Sequence, residues 1–241
     1  MAAGALRAVL FDVGGTIVYD RGFARVLSEK ISAVVETHTG LRAHPQTVSE
    51  LWERAGQLYG SVELWDLARV MLLLRQLGIL PSLRLAEQVY AAVLEAYIEG
   101  FDVEPSAQPV MRALKDMGLK LGILTNVGSY DATKLRLQFS GLLEFVDVVV
   151  ASQAFPWRKP SREIFEVSCF LLGVAPAEAV YVGDDAQVDI AGAKAAGLKA
   201  VQVLKYAKEK SPLADAWIST LEELPQAVEE LLRQERTFPG S

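Results

Sequence analysis

The chain opens on a short unbroken apolar run, Ala8-Val9-Leu10-Phe11, that stops at Asp12-Val13-Gly14-Gly15-Thr16. A run of that length ending at paired glycines predicts a buried strand feeding a tight loop. The period then changes. Between 18 and 100 apolar residues recur at three- and four-residue spacing, which predicts helices over 23–35, 47–59 and 83–98, with Pro45, Gly60 and Pro81 as punctuation. The most apolar stretch there, 70–80, is interrupted by Arg75 and is too short to cross a bilayer. After Pro105 short apolar runs alternate with helical patterns. Strands are predicted over 120–124, 146–150, 180–182 and 200–203, and helices over 110–117, 132–139, 164–172, 188–196 and 221–233.

Strands that alternate with helices predict an α/β fold, a Rossmann-like parallel sheet covered by helices on both faces. The first strand belongs to that sheet, so the helical block reads as an insertion. The expected organisation is a core of 1–17 and 101–241, with an inserted α-helical cap over 18–100. Two connections, near 17–19 and 99–105, would let the cap hinge as a lid.

Composition narrows the function classes. Apolar residues make up 51% of the 241 and charged residues 22%, an ordinary globular balance. A net charge of −6 gives no electrostatic support for a nucleic-acid or anionic-membrane partner, though a local basic pocket remains compatible with it. The single cysteine, Cys169, excludes an intramolecular disulfide and sits in a helical pattern that predicts burial. The start of the chain lacks a signal-peptide pattern, so a cytoplasmic location is expected. His38 and His44 have no nucleophile or metal-ligand partner at useful spacing and read as surface or packing residues.

Open α/β sheets bind ligands at the carboxyl ends of their strands. The predicted ends carry Asp12, Thr125-Asn126, Ala151-Ser152 and Gly183-Asp184-Asp185. An aspartate there can attack phosphorus and split one displacement into two easier ones. The glycines after it let backbone approach a phosphate closely. A hydroxyl at Thr125 and a cation at Lys159 are suited to phosphoryl oxygens. Taken singly, Asp12 also fits a turn, Thr125-Asn126 a cap, and Lys159 a solvated loop.

In order along the chain, four segments resemble the motifs of the haloacid dehalogenase-like hydrolase superfamily. They are Phe11-Asp12-Val13-Gly14-Gly15-Thr16, Leu124-Thr125-Asn126, Arg158-Lys159-Pro160 before a helical segment, and Val182-Gly183-Asp184-Asp185-Ala186-Gln187-Val188-Asp189. The resemblance spans the whole core, and the helical insertion falls at the family's commonest cap position. It implies a phosphatase-type hydrolase acting on a small phosphorylated substrate. Asp12 would be the nucleophile, with Thr125, Asn126 and Lys159 holding the phosphoryl group. Mg²⁺ would be held by Asp12, Asp184 and the Gly14 carbonyl, with Asp185 and Asp189 supporting ligating water or Lys159.

One position departs from the family. Its phosphatases carry a second aspartate two residues after the nucleophile, a proton donor and base; here that residue is Gly14. Four readings follow: a substrate with a good leaving group, a replacement carboxylate from 50–66, an impaired relative that binds a phosphorylated ligand or protein, or a metal-free 2-haloacid dehalogenase. The acidic cluster Asp184, Asp185, Asp189 favours a cation, and therefore phosphate chemistry. Trp52, Arg54, Tyr59, Trp65 and Arg69 fit either a substrate pocket or the core of an amphipathic helical layer.

Overall fold

The structure is a computed structural model that describes residues 5–57 and 62–237. Tyr59 and Gly60 of the sequence reading lie outside the described residues. Strand β1 (Ala8–Phe11) leads through the Gly14-Gly15 loop into β2 (Val18–Asp20). Four helices follow: α1 (Phe23–Thr39), α2 (Pro45–Gln57), α3 (Asp66–Gln76) and α4 (Leu83–Glu99). The chain returns along β3 (Phe101–Val103), which pairs antiparallel with β2. Then come α5 (Ala107–Asp116), β4 (Lys120–Thr125), α6 (Tyr130–Phe139), β5 (Val148–Ala151), α7 (Arg162–Leu172) and β6 (Ala179–Gly183). A wide helical turn, Ala186–Ala191, runs into α8 (Gly192–Ala195), followed by β7 (Lys199–Val203), β8 (Ala216–Ile218) and α9 (Leu224–Thr237).

Six strands form one parallel sheet in the order β5-β4-β1-β6-β7-β8. Strand β1 is central and buried on both faces, which is why it reads as a continuous apolar run. Val9 and Phe11 face one hydrophobic cluster with residues of α5 and α9; Ala8 and Leu10 face the other with residues of α7 and α8. Truncating fully buried Leu10 to alanine is therefore expected to lower stability by about 2–5 kcal/mol. The four helices α1–α4 bury a third cluster of their own, including Leu27, Ile31, Trp52, Leu73 and Val93. It reaches the sheet domain through Ala132 of α6.

The predicted strands and helices appear with small shifts. Helix α2 starts at Pro45 rather than 47, because the first turn has no use for the missing N–H. Helix α1 runs on to Thr39, where Gly40 at φ 71° ends it by donating its N–H to Glu36 O. Helix α3 occupies a stretch that the pattern marked only as apolar. The ribbon β2–β3 and the edge strand β8 were not predicted; three residues each are too few to show a period.

Candidate active site

From β1 at the centre the chain moves outward through β4 to β5, then crosses back to β6 on the other side of β1. That reversal leaves a crevice beyond the ends of β1, β4 and β6, where open α/β sheets bind ligands. Asp12 follows β1 directly, and its N–H donates to Val182 O at 2.9 Å. Thr125 ends β4, Asn126 follows it, and Asp184 follows β6. All of them sit on rigid ends, which is what a positioned reaction requires.

Lys159 ties these ends together. It is only 3% exposed, and its Nζ donates to Asp12 Oδ1 at 2.6 Å, Asp189 Oδ1 at 2.7 Å and the Tyr181 hydroxyl at 2.7 Å. Burial pulls its ammonium down, but the facing carboxylates of Asp12 and Asp189 outweigh this and hold it charged, above its ordinary 10.5. Asn126 fixes the backbone of the same residue in both directions. Its Oδ1 accepts from Lys159 N–H and its Nδ2 donates to Lys159 O, each at 2.9 Å. The Tyr181 hydroxyl also lies 3.0 Å from Leu124 O, linking β6 directly to β4 beside the lysine.

Carboxylates outnumber that cation. Oxygens of Asp12, Asp184 and Asp189 lie within 4.8 Å of one another. Burial pushes the Asp12 carboxyl up to about 7, against the pull of Lys159 and with added repulsion from Asp189. Asp184 is pushed up to about 6 by burial and then by Asp189 and Asp185. One ammonium facing three crowded carboxylates fits a hard divalent cation, whose oxygen ligands these are. The backbone makes room for the cluster: a Cβ on Gly15, where φ is 72°, would stand 2.4 Å from Asp184 Oδ2. A Cβ on Gly183 would stand 2.5 Å from Asp189 Oδ2.

The structure separates two aspartates that the sequence reading grouped. Asp189 reaches inward to Lys159 and also accepts the Asp185 N–H through Oδ2 at 3.1 Å. Asp185 is exposed, and its Oδ1 accepts from the N–H groups of Gln187 and Val188, both at 2.8 Å. It caps the helical turn and makes no bond to Lys159. Asp184, the residue just before Asp185, joins Asp12 and Asp189 in the acidic cluster.

A cavity of about 260 Å³ opens between the strand ends and the helical layer. Gly14, Thr125 and Asn126 line it from below, Glu63 from the segment just before α3, Arg69 and Tyr97 from α3 and α4, and Arg136 from α6. Glu63 is steadied by Ser152 Oγ, which donates to its Oε2 at 3.3 Å, and by Arg158 Nη1 at 3.4 Å. Gly14 is free of the strain that marks Gly15: its φ is not positive, and a Cβ there meets nothing within 4 Å. Of the residues that fitted either a pocket or a core, Trp52 is core at 2% exposure, and Trp65 and Arg54 are exposed. Arg69 lines the cavity, stacked over the Trp52 ring at 4.1 Å. His38 and His44 are exposed, and Cys169 is buried with its thiol pushed up to about 12, so it is inert.

Two members of the site escaped the sequence reading. Tyr181 is the one residue with a polar side chain in the strand Ala179–Gly183, the signal that could have marked it. Arg136 lies four residues beyond the start of the 132–139 helix, with nothing local to distinguish it from a surface arginine.

Comparison with known proteins identifies the family. The family model "haloacid dehalogenase-like hydrolase" matches residues 6–197. A glyceraldehyde 3-phosphate phosphatase of Methanopyrus kandleri is 29% identical over 199 residues, 82% of this chain and 84% of that protein. Further phosphatase relatives align over less of their own length, 46% and 54% in two cases. Among solved structures, a phosphatase of the same family from Thermococcus onnurineus superposes with a TM-score of 0.69 at 29% identity, covering 92% of this chain and 98% of that one. A 2-haloacid dehalogenase from Pseudomonas syringae reaches 0.76 at 22% identity, covering 94% and 99%, and shares the fold. The chain belongs to the haloacid dehalogenase-like hydrolase family, as a phosphatase-type hydrolase.

Proposed function

We propose that the protein is a Mg²⁺-dependent phosphomonoesterase that cleaves a small phosphorylated metabolite through an aspartyl-phosphate on Asp12. The observation that carries this reading is the crowding of Asp12, Asp184 and Asp189 around the single ammonium of Lys159 at the strand-end crevice. Asp12, Asp184 and the Gly14 carbonyl would hold Mg²⁺, which supplies charge neutralisation for two anions brought together. Lys159 keeps the Asp12 carboxylate oriented and offers its charge to the phosphoryl oxygens, beside the Thr125 hydroxyl and the Asn126 backbone N–H. Asn126, Tyr181 and Asp189 fix the lysine so that little reorganisation accompanies attack.

The place of the missing second aspartate is taken by Glu63. Glu63 lines the same cavity as Gly14 and comes from the segment 50–66. It would protonate the leaving oxygen and then draw a proton from the attacking water. The dehalogenase alternative fits the acidic cluster less well, because a haloacid carries its carboxylate one bond from the attacked carbon. The test is hydrolysis of small phosphate monoesters with Mg²⁺ and with chelator, beside halide release from 2-chloropropionate. Phosphate release that chelator abolishes supports the reading; halide release without metal overturns it.

A further inference from the structure

Arg136 is a buried cation without an anion. It projects from α6, the first helix after the Thr125-Asn126 loop, and is only 7% exposed. Its Nε is buried without a hydrogen-bond partner, and among the described residues its guanidinium makes no hydrogen bond or ion pair. What it has is aromatic: the guanidinium carbon lies 4.4 Å from the Phe101 ring centre and 5.3 Å from that of Tyr97. These rings, with Phe23, form the root of the helical layer, at 4.6–6.2 Å from one another. Burial pulls the guanidinium down to about 10, with Tyr97 and Asp12 acting the other way, so it stays charged at neutral pH.

The other cations of the site are already matched. Lys159 has two carboxylates and a phenol. Arg69 donates through Nε to Trp52 O at 2.9 Å, stacks on that ring, and has Asp66 at 3.8 Å. Gly56 leaves the space it fills, since a Cβ there would stand 2.6 Å from Arg69 Nη2. A buried charge is normally paired, so a guanidinium left open onto a cavity invites an anion from outside the chain.

Arg136 borders two openings, one shared with Arg21, Glu99 and Asp102 and the other the cavity lined by Gly14, Thr125 and Asn126. At about 260 Å³ the latter is smaller than the roughly 300–1,000 Å³ of sites for drug-sized ligands, so a molecule with its phosphoryl group at Thr125 has its other end close to Arg136. We propose that Arg136 anchors a carboxylate at the end of the substrate remote from the phosphoryl group, which makes the substrate a short phosphorylated carboxylic acid. This rests on the phosphatase reading above and adds the substrate class. A planar guanidinium fork matches a carboxylate through two parallel hydrogen bonds. Glu63, which lines the same cavity, disfavours the higher charge of a second dianionic phosphate there.

The probes are pairs that differ only in the remote group, in two chain lengths. They are phosphoglycolate against 2-hydroxyethyl phosphate, and 3-phosphooxypropanoate against 3-hydroxypropyl phosphate. With Mg²⁺, the wild-type chain should favour one carboxylate over its neutral partner by about 30-fold in kcat/KM, as for a charge-assisted pair. Arg136→Met should bring that ratio to within about threefold, and Arg136→Lys, which keeps charge but loses the fork, should lie between. A wild-type ratio near one in both lengths, or a preference that survives Arg136→Met, overturns the proposal. If neither variant folds, the wild-type ratio decides alone. Calorimetric titration of the same compounds separates the two claims. Tighter carboxylate binding without turnover keeps the anchor and sinks the hydrolase reading, whereas turnover without carboxylate preference sinks only the anchor.

Discussion

At the scale of single residues, two adjacent glycines have opposite tolerances. Gly15 combines φ 72° with a Cβ position 2.4 Å from Asp184 Oδ2, so Gly15→Ala must displace that carboxylate. The variant should need at least about tenfold more Mg²⁺ for half-maximal activity, a change measured by metal titration of turnover. Gly14 has open space, so Gly14→Asp should fold normally. If Glu63 serves as acid and base, Glu63→Gln should slow esters of poor leaving groups by about 10²-fold or more, and Gly14→Asp should recover most of that loss. The same Gly14→Asp change in otherwise wild-type protein should leave turnover flat. An increase there, with little effect of Glu63→Gln, would show that the wild-type site has no working base. Asp12 and Asp184 were legible because motif spacing places them just past strand ends, and Lys159 because Lys-Pro stands before a helix. Tyr181 and the side-chain clamp of Asn126 were not, since each acts through partners distant in sequence, 22 residues and 33 residues away on Lys159.

At the scale of elements, the sheet was readable and its connections were not. Doubly buried strands such as Ala8–Phe11 announce themselves as unbroken apolar runs. The β2–β3 ribbon, by contrast, is fixed by pairing between Val18 and Val103, 85 residues apart, which no local pattern encodes. The contact between α3 and the loop after β4 is of the same kind. Asp66 opens α3, is fully buried, and donates its N–H to Gly128 O at 2.7 Å. Its carboxylate faces the Tyr97 hydroxyl and Arg69 Nη1 at 3.8 Å, and a Cβ on Gly128 would stand 2.3 Å from Asp66 Oδ1. Burial pushes this carboxyl up to about 7 from its ordinary 3.8, against the pull of Arg69. Between about pH 4 and 7 the folded chain keeps a proton that the unfolded chain has lost, so stability present at low pH is lost as pH rises towards 7. The slope from this group reaches at most about 1.4 kcal/mol per pH unit. Urea midpoints from pH 5 to 8 should therefore fall more steeply in wild type than in Asp66→Asn, and parallel curves would remove Asp66 from the account.

At the scale of the whole molecule, the helical layer and the parallel sheet share one cavity but keep separate hydrophobic cores. The chemistry sits at the point where strand order reverses, and the residues that would choose a substrate come mostly from the helices over it. Among the described residues no helix is long and apolar enough to cross a membrane. The claim on which everything else depends is that Asp12 carries the phosphoryl group. Its carboxylate lies within reach of Lys159 and Asp184, and no other strand-end residue offers a nucleophile so placed among the described residues. The direct measurement is rapid acid quench of wild-type protein during turnover with Mg²⁺, followed by peptide mass analysis. A phosphoryl group is expected on the peptide containing Asp12 and absent from Asp12→Asn, which should also be folded and inactive. An Asp12→Asn protein that turns over at the wild-type rate would contradict this.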